Sequence, residues 1–258
     1  MGDTAFYDRL APDYHLLFAD WEGSIGRQGA ALGDLLRSQG LQPGDAVLDA
    51  ACGIGTQTLG LISQGFALAA SDPSPGAVAR LQNELRTRGL QAQVRVDDLR
   101  TLAGTATGSQ AAVLACDNSI PHLLSDEEIG QAFRSAWRCL QPGGLLLISV
   151  RDYAALPRVS PDVRPYGARR DAQGRRFLAV QVWEWDGDCY DLRLYRTVEH
   201  PDGRCDTDVL CSRYHAVTLE RLAQLMAKAG FEAVTRRDDV LYQPVLLARK
   251  PALSGPTA

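Results

Sequence analysis

The chain has 258 residues, 45% hydrophobic and 22% charged, which is enough for one core domain with an inserted segment. A net charge of -4 without a lysine or arginine block argues against a nucleic-acid partner, whose phosphates require a basic surface. The six cysteines show no Cys-x-x-Cys pair and no metal spacing with the four histidines, and no run of about 20 apolar residues predicts a membrane span. The amino terminus has no basic head followed by an apolar run, so we expect a cytoplasmic protein with reduced thiols and no metal.

From residue 46 onward, apolar runs of strand length alternate with amphipathic runs of helical length. This order is typical of a parallel sheet with crossover helices. Pro75 suits the first turn of a helix, and Ser125 with Glu128 forms a capping box that opens another. The elements predicted up to residue 150 are strands at 46–51, 66–71, 93–96, 111–116 and 145–150 and helices at 56–63, 75–89 and 125–144.

The alternation stops after the fifth strand. Residues 154–176 are rich in proline, arginine and glycine and are predicted to be irregular. Three runs with strand-like alternation follow, joined by turns at Asp186-Gly187 and Asp202-Gly203, and these predict an inserted antiparallel sheet. The elements predicted from there on are strands at 177–185, 190–199, 208–215, 232–237 and 242–249 and a helix at 218–229.

We therefore expect an α/β fold: a doubly wound, seven-stranded Rossmann-like sheet with an antiparallel last strand and an inserted antiparallel β-sheet lid. The predicted divisions are an N-terminal helical lid segment at 1–42, a core at 43–153 and 216–250, a substrate and lid subdomain at 154–215, and a disordered tail at 251–258.

The first predicted strand ends in a glycine-rich turn, Asp49-Ala50-Ala51-Cys52-Gly53-Ile54-Gly55-Thr56. Glycines allow the backbone to approach a bound nucleoside closely, because no Cβ intervenes. A dinucleotide site would place a third glycine where Thr58 stands, so an NAD-dependent enzyme is disfavoured. Asp72 ends the next strand, where a carboxylate can accept hydrogen bonds from both ribose hydroxyls or can cap the helix at Pro75.

The glycine turn resembles the first motif of the class I S-adenosylmethionine (SAM) methyltransferases. The chain is most similar to the glycine/sarcosine N-methyltransferase group, and four further segments carry the likeness: Phe6 to Trp21, Cys116-Asp117-Asn118-Ser119-Ile120-Pro121-His122-Leu123, Leu140-Gln141-Pro142-Gly143-Gly144 and Val150-Arg151-Asp152-Tyr153. This resemblance implies SAM as cofactor, S-adenosylhomocysteine as product, no metal, and methyl transfer to a small acceptor, with an amine nitrogen expected. A small-molecule O-methyltransferase and a non-catalytic SAM-binding regulator are the alternatives.

The resemblance also implies roles for the residues that follow each strand. A carboxylate after the third strand accepts from the adenine amino group; Asp98 is favoured and Asp97 is its rival. Asp49 orders the glycine turn, and the backbone at Cys116 lies against the methionine end. Arg27 either pairs with the SAM carboxylate or is a surface arginine. The expected cofactor residues are Tyr14, Trp21, Arg27, Ala51, Gly53, Gly55, Asp72, Pro73, Asp98, Leu99 and Cys116.

Acceptor chemistry is expected around the ends of the fourth and fifth strands. His122 is the favoured base, with a helix-capping or buried neutral histidine as the alternative and His215 as second choice. Tyr14, Trp21 and Tyr214 are candidates for an aromatic cage around the sulfonium, or for core residues. The expected catalytic residues are His122, Asn118 and Tyr214, and the expected substrate-binding residues are Asn118, Arg151, Tyr153 and Tyr214.

One departure from the family pattern affects the acceptor. The family has Arg-Asn-Tyr after the fifth strand, whereas this chain has Arg151-Asp152-Tyr153. Asp152 would give an acidic rim that favours a cationic or amine-bearing acceptor over a carboxylate such as glycine. The small-molecule acceptor is the expected partner, with no membrane and with a possible homo-oligomer.

Overall fold

A computed structural model describes residues 3–171 and 173–252. The helices are α1 (Asp3–Leu10), α2 (Trp21–Ser38), α3 (Thr56–Ser63), α4 (Pro75–Arg88), α5 (Asp126–Cys139) and α6 (Leu219–Lys228). The strands are β1 (Ala46–Asp49), β2 (Ala67–Asp72), β3 (Gln93–Val96), β4 (Gln110–Ala115), β5 (Leu140–Ser149), β6 (Asp162–Arg170), β7 (Arg176–Asp186), β8 (Cys189–Glu199), β9 (Cys205–His215), β10 (Glu232–Arg237) and β11 (Val245–Arg249).

Seven of these strands form the central sheet, in the order β10-β11-β5-β4-β1-β2-β3. Strand β11 is antiparallel to both β5 and β10, and the pairs among β1 to β5 are parallel. The antiparallel last strand is thus confirmed. The strand order reverses between β1 and β4, and in an open α/β sheet this point opens a crevice at the carboxyl ends of the strands.

Side chains on successive strand positions point to opposite faces of the central sheet. Val47, Ala112 and Leu145 pack in a buried cluster with leucines of α2 and α3. Leu48 and Val113, one position along, pack in a second cluster with residues of α5 and α6. Helices therefore cover both faces, which confirms the doubly wound arrangement.

The inserted sheet contains β6, β7, β8 and β9 in sequence order, all antiparallel. The prediction that residues 154–176 are irregular is wrong for β6, which pairs with β7 along its length. Pro165 is tolerated because β6 is an edge strand, and a register shift between Pro165 and Gly167 absorbs the irregular backbone.

Other boundaries differ by a few residues. Helix α5 ends at Cys139, so Pro142-Gly143-Gly144 lies inside β5 and does not close the helix. Strand β11 begins at Val245, three residues later than expected. Residues 253–258 of the predicted disordered tail lie outside the described residues. Within the described part of the chain, no helix combines the length and apolar character needed to cross a membrane.

Candidate active site

A cavity of about 340 Å³ opens at the carboxyl ends of the central strands. It lies where the strand order reverses, because the turns after β1, β2 and β4 all contribute to its wall. Eight of the expected cofactor residues line it: Tyr14, Ala51, Gly53, Asp72, Pro73, Asp98, Leu99 and Cys116.

The glycine turn is held in place from both sides. Asp49, fully buried at the end of β1, accepts a hydrogen bond on Oδ2 from Thr58 Oγ1 at 2.7 Å and so ties the strand to α3. Gly53 has a φ of +51°, and a Cβ added there would meet only the Tyr14 ring, at 3.8 Å. Gly55, with a φ of +97°, does not line the cavity, and a Cβ there would collide with Leu81. The first glycine thus leaves room for a ligand, whereas the second is required by packing.

Asp72 is a buried carboxyl whose two oxygens are both engaged by backbone. Gly53 N donates to Oδ2 and Ser74 N donates to Oδ1, each at 2.9 Å. Burial raises the pKa of Asp72, and these two backbone hydrogen bonds oppose the rise. The cap of α4 is Ser74, whose hydroxyl accepts from Ala77 N. Asp72 is therefore not the helix cap, and each oxygen keeps a lone pair for a ribose hydroxyl.

The two candidate carboxyls after β3 have separate roles. Asp97 accepts from Ala103 N and Gly104 N and so closes its own loop, outside the cavity. Asp98 lines the cavity and pairs with Arg100 at 2.6 Å. Hydrogen bonds from Arg100 lower the pKa of Asp98, so this carboxylate stays ionised as an acceptor.

Two of the expected cofactor residues lie away from the cavity. Trp21 is buried, donates from Nε1 to Thr56 Oγ1 at 2.9 Å, and has the guanidinium groups of Arg80 and Arg88 over its ring. Arg27 is exposed and donates to Ser24 at 3.2 Å. Trp21 has the environment of a core residue and Arg27 that of a surface arginine, which matches the alternative given for each.

A second cavity of about 290 Å³ adjoins the first. It is lined by Asn118, Arg151 and Tyr214, as expected for an acceptor site, and also by Tyr166, Tyr190 and Tyr242. Four residues line both cavities and therefore form their boundary: Tyr7, Tyr14, Phe18 and Asp117. Any group that passes from one cavity to the other crosses between these four side chains.

Stacked rings from the inserted sheet form one wall of the second cavity. Tyr190 stacks on Trp183 at 4.3 Å and on Tyr214 at 5.1 Å between ring centroids. Tyr153 is buried behind this wall and does not line the cavity. The Tyr153 hydroxyl accepts a hydrogen bond from Asn118 Nδ2 at 2.8 Å and is hydrogen-bonded to the Tyr190 hydroxyl at 3.0 Å. Tyr153 therefore holds the Asn118 side chain in position.

Arg151 places a cation in this aromatic cavity. Its guanidinium lies 4.7 Å from the Trp183 ring centroid, and it forms no ion pair within residues 3–171 and 173–252. Burial alone would lower the pKa of Arg151, but the nearby Tyr153 and Tyr190 raise it, so the group stays charged. The expected acidic rim is not present at Asp152, because that carboxylate pairs with Arg236 at 2.9 Å and lines neither cavity.

His122 lines the first cavity and forms a hydrogen bond with Tyr7, one of the four boundary residues. Its Nε2 lies 2.8 Å from the Tyr7 hydroxyl, which is itself 3.3 Å from the Tyr214 hydroxyl. The His122 and Tyr214 rings are 4.2 Å apart. His215, the second choice of base, lines neither cavity. The geometry thus favours His122, acting through Tyr7, over His215.

Comparison with known proteins bears on this site. A family model described as a methyltransferase domain matches residues 47–144, from β1 through the glycine turn to β5. Over these residues the chain is similar to the SAM-dependent methyltransferases. The glycine/sarcosine/dimethylglycine N-methyltransferase of Actinopolyspora halophila is 30% identical over 138 residues, which are 53% of this chain and 24% of that protein. The glycine/sarcosine N-methyltransferase of Parasynechococcus marenigrum is 28% identical over 137 residues, 53% of this chain and 48% of the relative.

The matches thus span about a quarter and about half of these two curated relatives. Among solved structures, the SAM-bound amino pentose methyltransferase of Micromonospora echinaspora, involved in calicheamicin biosynthesis, superposes with a TM-score of 0.73. The superposition covers 88% of this chain and 91% of that chain at 18% identity, and it shows a shared fold.

Several residues of this methyltransferase site were not predicted from the sequence. Asp117 and Tyr7 stand at the boundary between the cavities, and Tyr166, Tyr190 and Tyr242 line the second one. Asp117 had a usable signal, because a charged residue directly after a buried strand of a parallel sheet lies at the ligand edge. Tyr166 and Tyr190 had none, since the inserted sheet reaches the site only through tertiary packing, and Tyr242 lies in the loop between β10 and β11.

Proposed function

We propose that this protein transfers the methyl group of SAM to an amine nitrogen of a small acceptor. The observation that carries the proposal is the pair of cavities that meet at Tyr7, Tyr14, Phe18 and Asp117. A cofactor cavity and a polar, aromatic acceptor cavity with a common boundary are what direct methyl transfer requires. The two curated relatives are N-methyltransferases by name, and the structural neighbour is an amino pentose methyltransferase.

The residues of the first cavity fit SAM. Gly53 leaves space for the ligand, Asp72 has lone pairs for the ribose, and the ionised Asp98 can accept from the adenine amino group. Cys116, the residue after β4, lines this cavity, where the methionine end would lie. SAM, when bound, supplies a methyl group already activated on a positively charged sulfur.

The chain's own residues then have to align the acceptor and exclude water. The aromatic rings of Tyr7, Tyr14 and Phe18 at the boundary offer faces that suit a positive charge. Asn118, fixed by Tyr153 and by Arg151 N, offers its amide to the acceptor side. Positioning of this kind supplies most of the rate enhancement in a reaction whose leaving group is already activated.

We expect valine at Gly53 to abolish SAM binding while the chain still folds. A β-branched side chain occupies the space that the nucleoside needs, whereas the apo protein offers only the Tyr14 ring, at 3.8 Å, as a neighbour. Isothermal titration with SAM and with S-adenosylhomocysteine measures the loss, and mass spectrometry of small amines incubated with labelled SAM tests transfer to nitrogen.

Gly89→Val is the matched control. Gly89 also has a positive φ, +65°, at the end of α4, and a Cβ there meets nothing within 4 Å. The Gly89→Val variant has the same kind of backbone strain far from the cavity, so its affinity for SAM should match that of the wild type. Unchanged affinity in Gly53→Val would refute the assignment of this cavity, and transfer only to hydroxyl acceptors would favour O-methylation.

We further propose that the N-terminal segment and the inserted sheet form a lid. Arg9 pairs with Asp208 at 2.8 Å and Arg196 pairs with Asp13 at 3.1 Å, so α1 and the segment after it are linked to β8 and β9. These contacts are partly exposed, and exposed ion pairs contribute only about 0–1 kcal/mol each. Added SAM should therefore protect residues 5–30 from hydrogen exchange; no added protection would argue against a lid.

Arg151 supports an acceptor that carries a negative group beside its amine. A guanidinium without an ion-pair partner in the described residues favours a carboxylate ligand, which it can bind with two hydrogen bonds. Arg151→Gln should raise the KM for carboxylate-bearing amines about tenfold to a hundredfold and leave neutral amines nearly unaffected. Steady-state kinetics with matched pairs of amines measure this, and Asp152→Asn, which changes the neighbouring residue outside both cavities, is the control.

A further inference from the structure

Asp117 stands in a backbone turn of unusual conformation between the two cavities. It follows β4 with a φ of +55°, and Asn118 continues at +67°. Left-handed conformations are uncommon for residues other than glycine. The turn is fixed by Ser149, whose hydroxyl accepts from Asp117 N at 2.8 Å and whose carbonyl accepts from Asn118 N at 2.9 Å. The fold thus holds two strained residues in succession at the boundary of the site.

The two carboxyl oxygens of Asp117 differ in their partners. Oδ2 accepts from Gln57 Nε2 at 2.8 Å, and that amide also donates to Gln28 Oε1 at 2.7 Å. Oδ1 is buried and accepts no hydrogen bond of standard geometry in residues 3–171 and 173–252. Burial raises the pKa of Asp117, and the Gln57 amide and, more weakly, the Tyr242 hydroxyl oppose the rise. A buried oxygen without a well-formed hydrogen bond is costly, so a donor on a bound ligand would be favoured there.

Asp117 is the one carboxyl among the described residues that line the second cavity. The other three boundary residues, Tyr7, Tyr14 and Phe18, are aromatic. The other carboxyls of the first cavity already have partners in the protein, since Asp72 accepts from backbone and Asp98 and Glu128 pair with Arg100. Asp117 Oδ1 is therefore the acceptor atom at the boundary that still needs a donor.

We propose that Asp117 Oδ1 accepts a hydrogen bond from the amino group of the acceptor and so favours amines over hydroxyl analogues, because a carboxylate binds a charged ammonium group more strongly than a neutral hydroxyl. The inference rests on the proposed function and deepens it. An N–H directed at Asp117 turns the nitrogen lone pair away from the carboxylate, and Arg151 in the same cavity takes the negative group of the same molecule. SAM also carries an amino group, so the ligand chemistry is an amino group with two sources, and the experiment must separate them.

The test uses Asp117→Asn in the full chain, because asparagine keeps the shape and the hydrogen bond from Gln57 but removes the charge. Asp152→Asn is the matched control, since its carboxylate pairs with Arg236 outside both cavities. Calorimetry measures S-adenosylhomocysteine binding first. The saturated complex is then titrated with glycine, sarcosine and β-alanine, and with glycolate, which has a hydroxyl in place of the amine.

The proposal predicts that Asp117→Asn weakens binding of the three amines about tenfold to a hundredfold. Glycolate, whose neutral hydroxyl makes the weaker bond to a carboxylate, should lose less affinity than the amines, and S-adenosylhomocysteine should bind within about twofold of the wild type. Weaker S-adenosylhomocysteine binding with unchanged amine binding would assign Asp117 to the cofactor's amino group and overturn the proposal. Wild-type protein that binds none of the three amines, or a variant that binds them as well as wild type does, would also overturn it. Absence of S-adenosylhomocysteine binding to the wild type would instead refute the proposed function.

Discussion

Replacing His122 with alanine is expected to lower turnover by about two to four orders of magnitude while SAM affinity changes little. An amine must lose a proton around the transfer step, and imidazole exchanges protons near neutral pH. His122 Nε2 lies 2.8 Å from the Tyr7 hydroxyl, and Tyr7 lines both cavities. The hydrogen-bonded pair therefore offers a route for that proton from the boundary to the histidine.

Tyr7→Phe tests whether the pair acts as a unit. It removes only the hydroxyl and keeps the ring contacts with Phe6 and Tyr14. If the proton passes through this hydroxyl, Tyr7→Phe should cost nearly as much turnover as His122→Ala, and the double variant should cost little more than either. Steady-state turnover across pH 6–9 and thermal melts of all three variants measure this. Losses that multiply in the double variant would show that the two residues act independently, and losses that follow the melting temperature would show that His122 serves packing alone.

The lining of the first cavity could be predicted from the sequence because its signals are local. The glycine turn and Asp72 lie within one strand–turn–helix–strand unit, and Gly53 N donates to Asp72 across 19 residues of chain. The alternation of strand-length apolar runs with helix-length amphipathic runs predicted where each strand ends. Parallel strands bring their carboxyl ends to one edge of the sheet. Eight expected residues consequently line one cavity.

The second cavity could not be predicted in the same way, because it is lined by segments that are distant in the sequence. Tyr7 and His122 are separated by 115 residues and meet only when α1 packs beside β9. Two aromatic residues expected at the site line neither cavity: Trp21 contacts Thr56 and two arginines, and Tyr153 is hydrogen-bonded to Asn118 and Tyr190 behind the second cavity. Strand β6 was missed because proline and glycine indicate loops, whereas an edge strand with a bulge tolerates both.

In the wild type, the free energy of unfolding is expected to fall by about 4 kcal/mol between pH 4 and pH 8 because of Asp49. Asp49→Asn should abolish this fall. Burial raises the pKa of Asp49 from an ordinary 3.8 to about 7, with the charges of Asp72 and Asp117 adding to the rise and the Thr58 hydrogen bond opposing it. A pKa difference of about 3 corresponds to about 4 kcal/mol. Between these two pKa values the folded chain binds one more proton at Asp49 than the unfolded chain does. The free energy of unfolding therefore falls as pH rises from about 4 to about 7, and levels off above the folded pKa.

Urea unfolding of the apo protein at intervals across this range measures the effect. The asparagine variant has no proton to lose at this position, so its free energy of unfolding should fall less steeply than that of the wild type. Thr58→Val is the companion variant: it removes the hydroxyl that favours the ionised carboxyl at 2.7 Å, so the wild-type decline should continue to higher pH. Parallel curves for the wild type and Asp49→Asn would contradict the prediction, because Asp49 would then be ionised in the folded chain throughout the range and β1 would end in a buried charge.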